Sequence, residues 1–146
     1  MATLQALSNE AAGRGFTHEI VLNYFDLSES TAATAENIDI ANVTGRLKDV
    51  ALYVEESFEG GTVSDFDISV GTTAAATLYV GATDAFGAAA FAMNSGTGLD
   101  TEKEVTTYDS GATLRIACTP TTGANDELTQ GKARIRLNLV PTTAQI

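Results

Sequence analysis

A chain of 146 residues is one domain by size and long enough to bury a core without help from a disulfide or a metal. Eight basic residues against nineteen acidic ones give a net charge of −11, which excludes the Lys- and Arg-rich surface that nucleic acid or an anionic membrane would need. The single cysteine, Cys118, excludes an intrachain disulfide, and no apolar run approaches the roughly 18 residues of a membrane-spanning helix.

Residues 1–15 mix Ala, Ser and Asn with Gly13, Arg14 and Gly15, and read as an N-terminal arm, with a short helix over 3–12 compatible with their composition. They carry no positively charged leader followed by an apolar core, so synthesis in the cytoplasm of the producing cell is expected. The first strand is expected over 18–25, where β-branched and aromatic residues cluster ahead of Asp26. Ser, Thr, Ala and Glu make 28–37 a loop; Ile38-Asp39-Ile40 alternates briefly, and Thr44-Gly45 reads as a turn.

The most informative stretch is 50–71. Val50, Leu52, Val54 and Phe58 share one face of a strand, and Phe66, Ile68 and Val70 share one face of the next. Gly60-Gly61 between them supplies the positive-φ turn of a hairpin. Beyond it, 71–77 is small and polar, 78–80 is a short strand, and the Ala-rich 82–92 reads as a helical turn or a packed loop carrying Phe86 and Phe91. A loop over 93–100, a strand over 104–108, a tight turn at Asp109-Ser110-Gly111, a strand over 112–119 and a polar loop over 120–129 follow. Residues 132–140 alternate most cleanly: Ala133, Ile135, Leu137 and Leu139 point one way, and Lys132, Arg134, Arg136 and Asn138 the other. Seven or eight strands at short spacing, with no long amphipathic helix, specify an all-β, single-domain antiparallel β-sandwich, jelly-roll-like, over 16–141, with residues 142–146 as a C-terminal tail.

Little catalytic chemistry is legible. His18 is the sole histidine and lies at a strand end, with no Gly-x-Ser-x-Gly segment to supply a nucleophile. One Cys and one His exclude a zinc site within a single chain, and neither Gly96-Thr97-Gly98 nor Gly13-Arg14-Gly15 has the third glycine of a dinucleotide loop. No catalytic residue, cofactor or metal is therefore expected. Cys118 shares strand parity with Leu114 and Ile116 and reads as a buried apolar residue. The carboxylates of Glu55, Glu56, Glu59, Asp65 and Asp67 cluster at strand ends; they read as a solvated face, with Ca²⁺ near Asp65 and Asp67 left open. Arg115, Lys132, Arg134 and Arg136 occupy the polar faces of two consecutive strands. If those strands are neighbours, they form a basic stripe that either keeps a face soluble or docks an acidic partner or neighbouring subunit.

The order of signals in Leu47-Lys-Asp-Val-Ala-Leu-Tyr-Val-Glu-Glu-Ser-Phe-Glu-Gly-Gly61, Phe66-Asp-Ile-Ser-Val-Gly-Thr72, Tyr108-Asp-Ser-Gly-Ala-Thr-Leu-Arg-Ile-Ala117 and Leu128-Thr-Gln-Gly-Lys-Ala-Arg-Ile-Arg-Leu-Asn-Leu-Val140 resembles the small β-sandwich capsid decoration (cement) proteins of tailed bacteriophages. The resemblance covers 47–140 and rests on strand edges and turns. It implies a non-enzymatic virion protein, made in the host bacterial cytoplasm, that binds the major capsid protein on the head surface, as a homotrimer at local threefold positions. It implies no contact with nucleic acid or membrane. Arg14, Phe86, Phe91, Arg115, Lys132, Arg134 and Arg136 are then the candidate partner-binding residues. The alternative reading is a tail- or fibre-associated structural or carbohydrate-binding host-attachment module, which would need an exposed aromatic platform in a chain without Trp.

Overall fold

The computed structural model describes residues 2–7, 15–27, 32–96 and 107–140; within these, the side chains of 42, 44–46, 107–112 and 140 are left aside. The chain is all-β, with two antiparallel sheets of five and four strands packed as a sandwich. Eight strands build them: β1 (Leu4–Ala6), β2 (His18–Asn23), β3 (Glu36–Glu59), β4 (Asp65–Thr72), β5 (Val80–Asp84), β6 (Ala90–Met93), β7 (Thr107–Thr121) and β8 (Gln130–Val140). Nine strand positions arise from eight strands because β3, 24 residues long, serves in both sheets. Its first half pairs with β7 from Glu36 to Arg46, and its second half pairs with β8 from Arg46 to Glu59 and with β6 from Ala51 to Val54. One sheet therefore runs β1-β2-β8-β3-β6 and the other β3-β7-β4-β5.

The expected turn at Thr44-Gly45 is instead the bend of this strand. Register shifts fall between Ile40 and Val43 and between Val43 and Gly45 against β7, and between Leu47 and Asp49 against β8. Such bulges sharpen local twist and let one strand pass from one sheet to the other. The tight turn expected at Asp109-Ser110-Gly111 is likewise inside β7. Val43 opposes Ala112 and Gly45 opposes Tyr108, so the one residue between them on β3, Thr44, faces three on β7, Asp109 to Gly111, and the turn signal is absorbed as a bulge.

The Gly60-Gly61 turn exists, with φ of 152° and 55°, and Val63 N–H donates to Gly60 O at 3.1 Å. It does not close a hairpin. β4 hydrogen-bonds to β5 and β7, not to β3, so the turn carries the chain across the sandwich. The alternation on either side was read correctly: Val50, Leu52, Phe58, Phe66, Ile68 and Val70 are fully buried. They face one another between the sheets, and the Phe58 and Phe66 rings stack at 4.8 Å and 9°. Ile20, Leu22, Ile135 and Leu137 extend the same core from the five-stranded sheet, and Leu114, Ile116 and Cys118 from the other.

Other boundaries move for similar reasons. β2 ends at Asn23, and a 3-10 turn (Tyr24–Asp26) follows, closed by Asn23 N–H donating to Asp26 Oδ2 at 2.9 Å. Leu4–Ala6 is an edge strand on β2 rather than part of a helix, with Ala2 buried behind it. The Ala-rich 82–92 holds the end of β5 and most of β6, because small side chains fit an edge where β5 and β6 approach. The strand expected over 104–108 lies largely outside the described residues. No helix among the described residues is long and apolar enough to cross a membrane.

The pair of glycines is needed for close approach as much as for backbone conformation. A Cβ on Gly60 would lie 2.4 Å from Glu127 O, and the Glu127 carboxylate accepts from Thr62 N–H at 2.9 Å and Ala124 N–H at 2.8 Å, fastening the crossing to the 124–128 segment. Phe66→Ala is expected to cost about 3–5 kcal/mol. Gly60→Ala, which an open hairpin turn would tolerate better, is expected to cost about 1–3 kcal/mol. Urea unfolding followed by circular dichroism measures both.

Candidate functional site

His18 and Cys118 each have a definite local role. His18 begins β2, half-buried, with Nδ1 2.8 Å from Thr17 Oγ1, and burial holds its pKa below the usual histidine value. Thr17 in turn fixes the β2–β8 seam, accepting from Leu139 N–H at 2.9 Å. Cys118 is fully buried opposite Glu36, and burial, with the neighbouring carboxylate, pushes its thiol far up, which suits the packing role expected of it. Asn125, 1% exposed, donates to Glu36 Oε1 at 3.3 Å and to Cys118 O at 3.4 Å, a buried polar knot between the strand and the loop behind it.

The carboxylates expected to form one acidic face divide into two groups. Glu55 pairs with Arg134 and Lys132, Glu56 accepts from Gly131 N–H at 2.9 Å, and Glu59 is bonded by Ser57. Asp65 and Asp67, on the other sheet, are joined instead by Asp84 of β5, which stands directly opposite Asp67. One oxygen from each of the three lies within 4.8 Å of the others. Asp65 and Asp84 also accept local backbone N–H groups from Phe66 and Phe86, both at 2.9 Å. Burial first, then the charges of Asp65 and Asp84, hold the Asp67 carboxyl above its usual range. The cluster could place three oxygens on a cation. Asp84 is not marked in the sequence, because Gly81-Ala82-Thr83-Asp84 has no apolar-polar period and looks like a loop.

The basic residues are also divided. β7 and β8 are not neighbours: β3 lies between them, and the two strands belong to different sheets. Arg115 makes a two-pronged pair with Asp39, Nε to Oδ1 at 2.8 Å and Nη2 to Oδ2 at 2.9 Å. Arg134 and Arg136 converge on Glu19, at 2.7 and 3.1 Å, and Arg134 also binds Glu55. Glu19 is only 7% exposed, and the Arg136 guanidinium lies 5.2 Å from the Tyr53 ring centre. The three β8 cations are therefore threaded with acids into one network on the outer side of the five-stranded sheet.

Beside that network, Phe91 is 58% exposed and packs against Tyr53 at 4.9 Å, with Met93 exposed next to it on β6. Phe86 is instead half-buried against the core, and Arg14 lies outside the described residues. Phe25, expected from the sequence in a strand, is also a large exposed apolar side chain and lies in the 3-10 turn after β2. It borders an open cleft of about 360 Å³ whose other walls include Asp26, Glu36, Ile38 and Asp39. The ionisable groups among the described residues lining that cleft are the carboxylates of Asp26, Glu36 and Asp39.

The two acidic environments give opposite pH signatures. The hydrogen bond from Arg115, aided by its charge, holds the Asp39 carboxyl below the usual range. Its stabilisation is complete above the unfolded-state pKa and lost as pH falls through the lower folded value. Asp39→Asn should thus lose less than ~1 kcal/mol at neutral pH, a deficit that disappears in acid. Asp67 runs the other way: its charged form is disfavoured in the fold, so Asp67→Asn should raise the melting temperature at neutral pH and match the parent below the ordinary carboxylate range. Thermal melts across pH 2–8 read both.

No known protein family matches the chain, and neither any curated protein nor any solved structure shows significant similarity to it.

Proposed function

We propose that this chain is a non-enzymatic virion protein of a tailed bacteriophage that binds the major capsid protein on the outside of the shell and stabilises it. The segments that carry the resemblance, within 47–140, supply most of β3 together with β4, β7 and β8, which are the frame of the two sheets. The observation that carries the reading is the outer face of the five-stranded sheet. It is a broad surface where Tyr53, Phe91, Met93, Arg134 and Arg136 stand together on rigid strands, a composition typical of protein-docking surfaces. A cement protein needs such a surface on a fold that does not deform, and repeated copies on one shell gain avidity, so each contact can be modest.

Co-sedimentation with expanded, undecorated capsid shells of the cognate phage tests this. The chain should pellet with the shells and raise the temperature at which they disrupt; a chain left in the supernatant at physiological salt refutes the reading. The exposed Tyr53–Phe91 pair supports a second reading, a carbohydrate-binding host-attachment module in a tail or fibre, since stacked aromatics are what a sugar ring packs upon. Binding on a glycan array that Phe91→Ala abolishes, with no binding to shells, would favour it.

A further inference from the structure

The register sets the outer side chains of the five-stranded sheet in rows. Glu19, Arg136, Ala51 and Met93 stand side by side across β2, β8, β3 and β6, and Val21, Arg134, Tyr53 and Phe91 form the next row. Three cations, Lys132, Arg134 and Arg136, occupy the β8 column. Three acids flank them, Glu19 on β2 and Asp49 and Glu55 on β3. Lys48 and Glu56, at the bulges bounding the β3 segment, add one charge of each sign. With Glu59 at the end of the same β3 segment, opposite Gln130, this face carries four cations and five acids among the described side chains, a net of −1 (four less five). Off this face, the described side chains comprise one basic residue, Arg115, and eight acidic ones, a net of −7 (one less eight).

Two copies brought together through that acidic surface repel each other over a screening length of about 8 Å at physiological ionic strength. The nearly balanced face is largely free of this penalty. A strongly cationic partner would settle on the more acidic surface elsewhere, and a strongly anionic one gains nothing from a face with a net charge of −1. A surface with its signs in alternating columns fits another of the same kind: offset by one strand, about 4.8 Å, the cationic β8 column of one copy lies opposite the acid-bearing β3 column of the other, and the reverse. Tyr53, Phe91 and Met93 supply apolar area beside those columns, and Glu19 holds Arg134 and Arg136 in place.

We infer that the outer face of the five-stranded sheet is a self-association surface on which a second copy of this chain seats face to face. Five strands span only about 20 Å, so the pair lies at the small end of specific interfaces and forms in a concentration-dependent way. This inference does not rest on the capsid reading: it seats a second copy on the face that reading gives to the shell, so the two occupants compete, and it differs from the threefold assembly implied by the resemblance.

Sedimentation velocity from low micromolar to submillimolar concentration tests it without any capsid. The parent chain should pass from one to two chain masses, and Phe91→Asp should weaken pairing about tenfold or more. Phe25→Asp, which charges an equally exposed phenylalanine off this face, should leave pairing unchanged. Circular dichroism verifies the fold, and Phe91→Ser replaces Phe91→Asp if the latter unfolds. A chain that stays monomeric throughout, a three-chain species, or pairing indifferent to both Phe91 substitutions overturns the inference. Failure to bind shells would leave it standing.

Discussion

Strand β3 has two sets of hydrogen-bonding partners, and the sandwich depends on its keeping both. Its first half is pinned to β7 and its second half to β8 and β6, so a single covalent segment fixes the distance and angle between the sheets. The bulges near Val43 and Leu47 supply the bend, and the Gly60-Gly61 crossing returns the chain to the opposite sheet. The stacked Phe58 and Phe66 rings then fill the space that this crossing encloses. Most of these pairings join residues far apart in sequence, so little of the fold is local, a topology that forms slowly.

The same arrangement decides where charge can go. Strands buried on one side leave their polar residues on the other, and in the five-stranded sheet the register sets a cationic column between acidic ones. Glu19, nearly buried, is tolerated because two guanidiniums satisfy its oxygens. In the four-stranded sheet the register sets Asp67 opposite Asp84, and burial first, then the charges of Asp65 and Asp84, make the Asp67 carboxyl hold its proton more tightly. The described residues thus form a nearly balanced face and a predominantly acidic surface away from it, which bears directly on what the molecule can approach.

Much of the local structure was legible in the residues. Alternation placed Val50, Leu52, Ile68, Ile135 and Leu137 in the core, and Cys118 with them, because side-chain parity along a strand is a property of the strand alone. Two signals misled in the same direction. Thr44-Gly45 and Asp109-Ser110-Gly111 have turn composition, yet both lie within long strands, since a bulge and a turn ask for the same permissive backbone. The Ala-rich 82–92 had no period to read, so β5, β6 and Asp84 were lost with it.

By itself, then, the sequence determined the all-β class, the inward and outward face of each regular strand, and the burial of the lone thiol. These follow from period-2 patterning and hydrophobicity, which act over a few residues. Only the tertiary structure decided that β3 belongs to both sheets, that Gly60-Gly61 crosses between them, and that β8 is flanked by β2 and β3 rather than β7. It also decided that the four cations of the expected stripe divide between Asp39 on one side and Glu19 with Glu55 on the other. Which strands become neighbours is settled by backbone hydrogen bonds between residues distant in the chain, and no pattern within one strand encodes its partner.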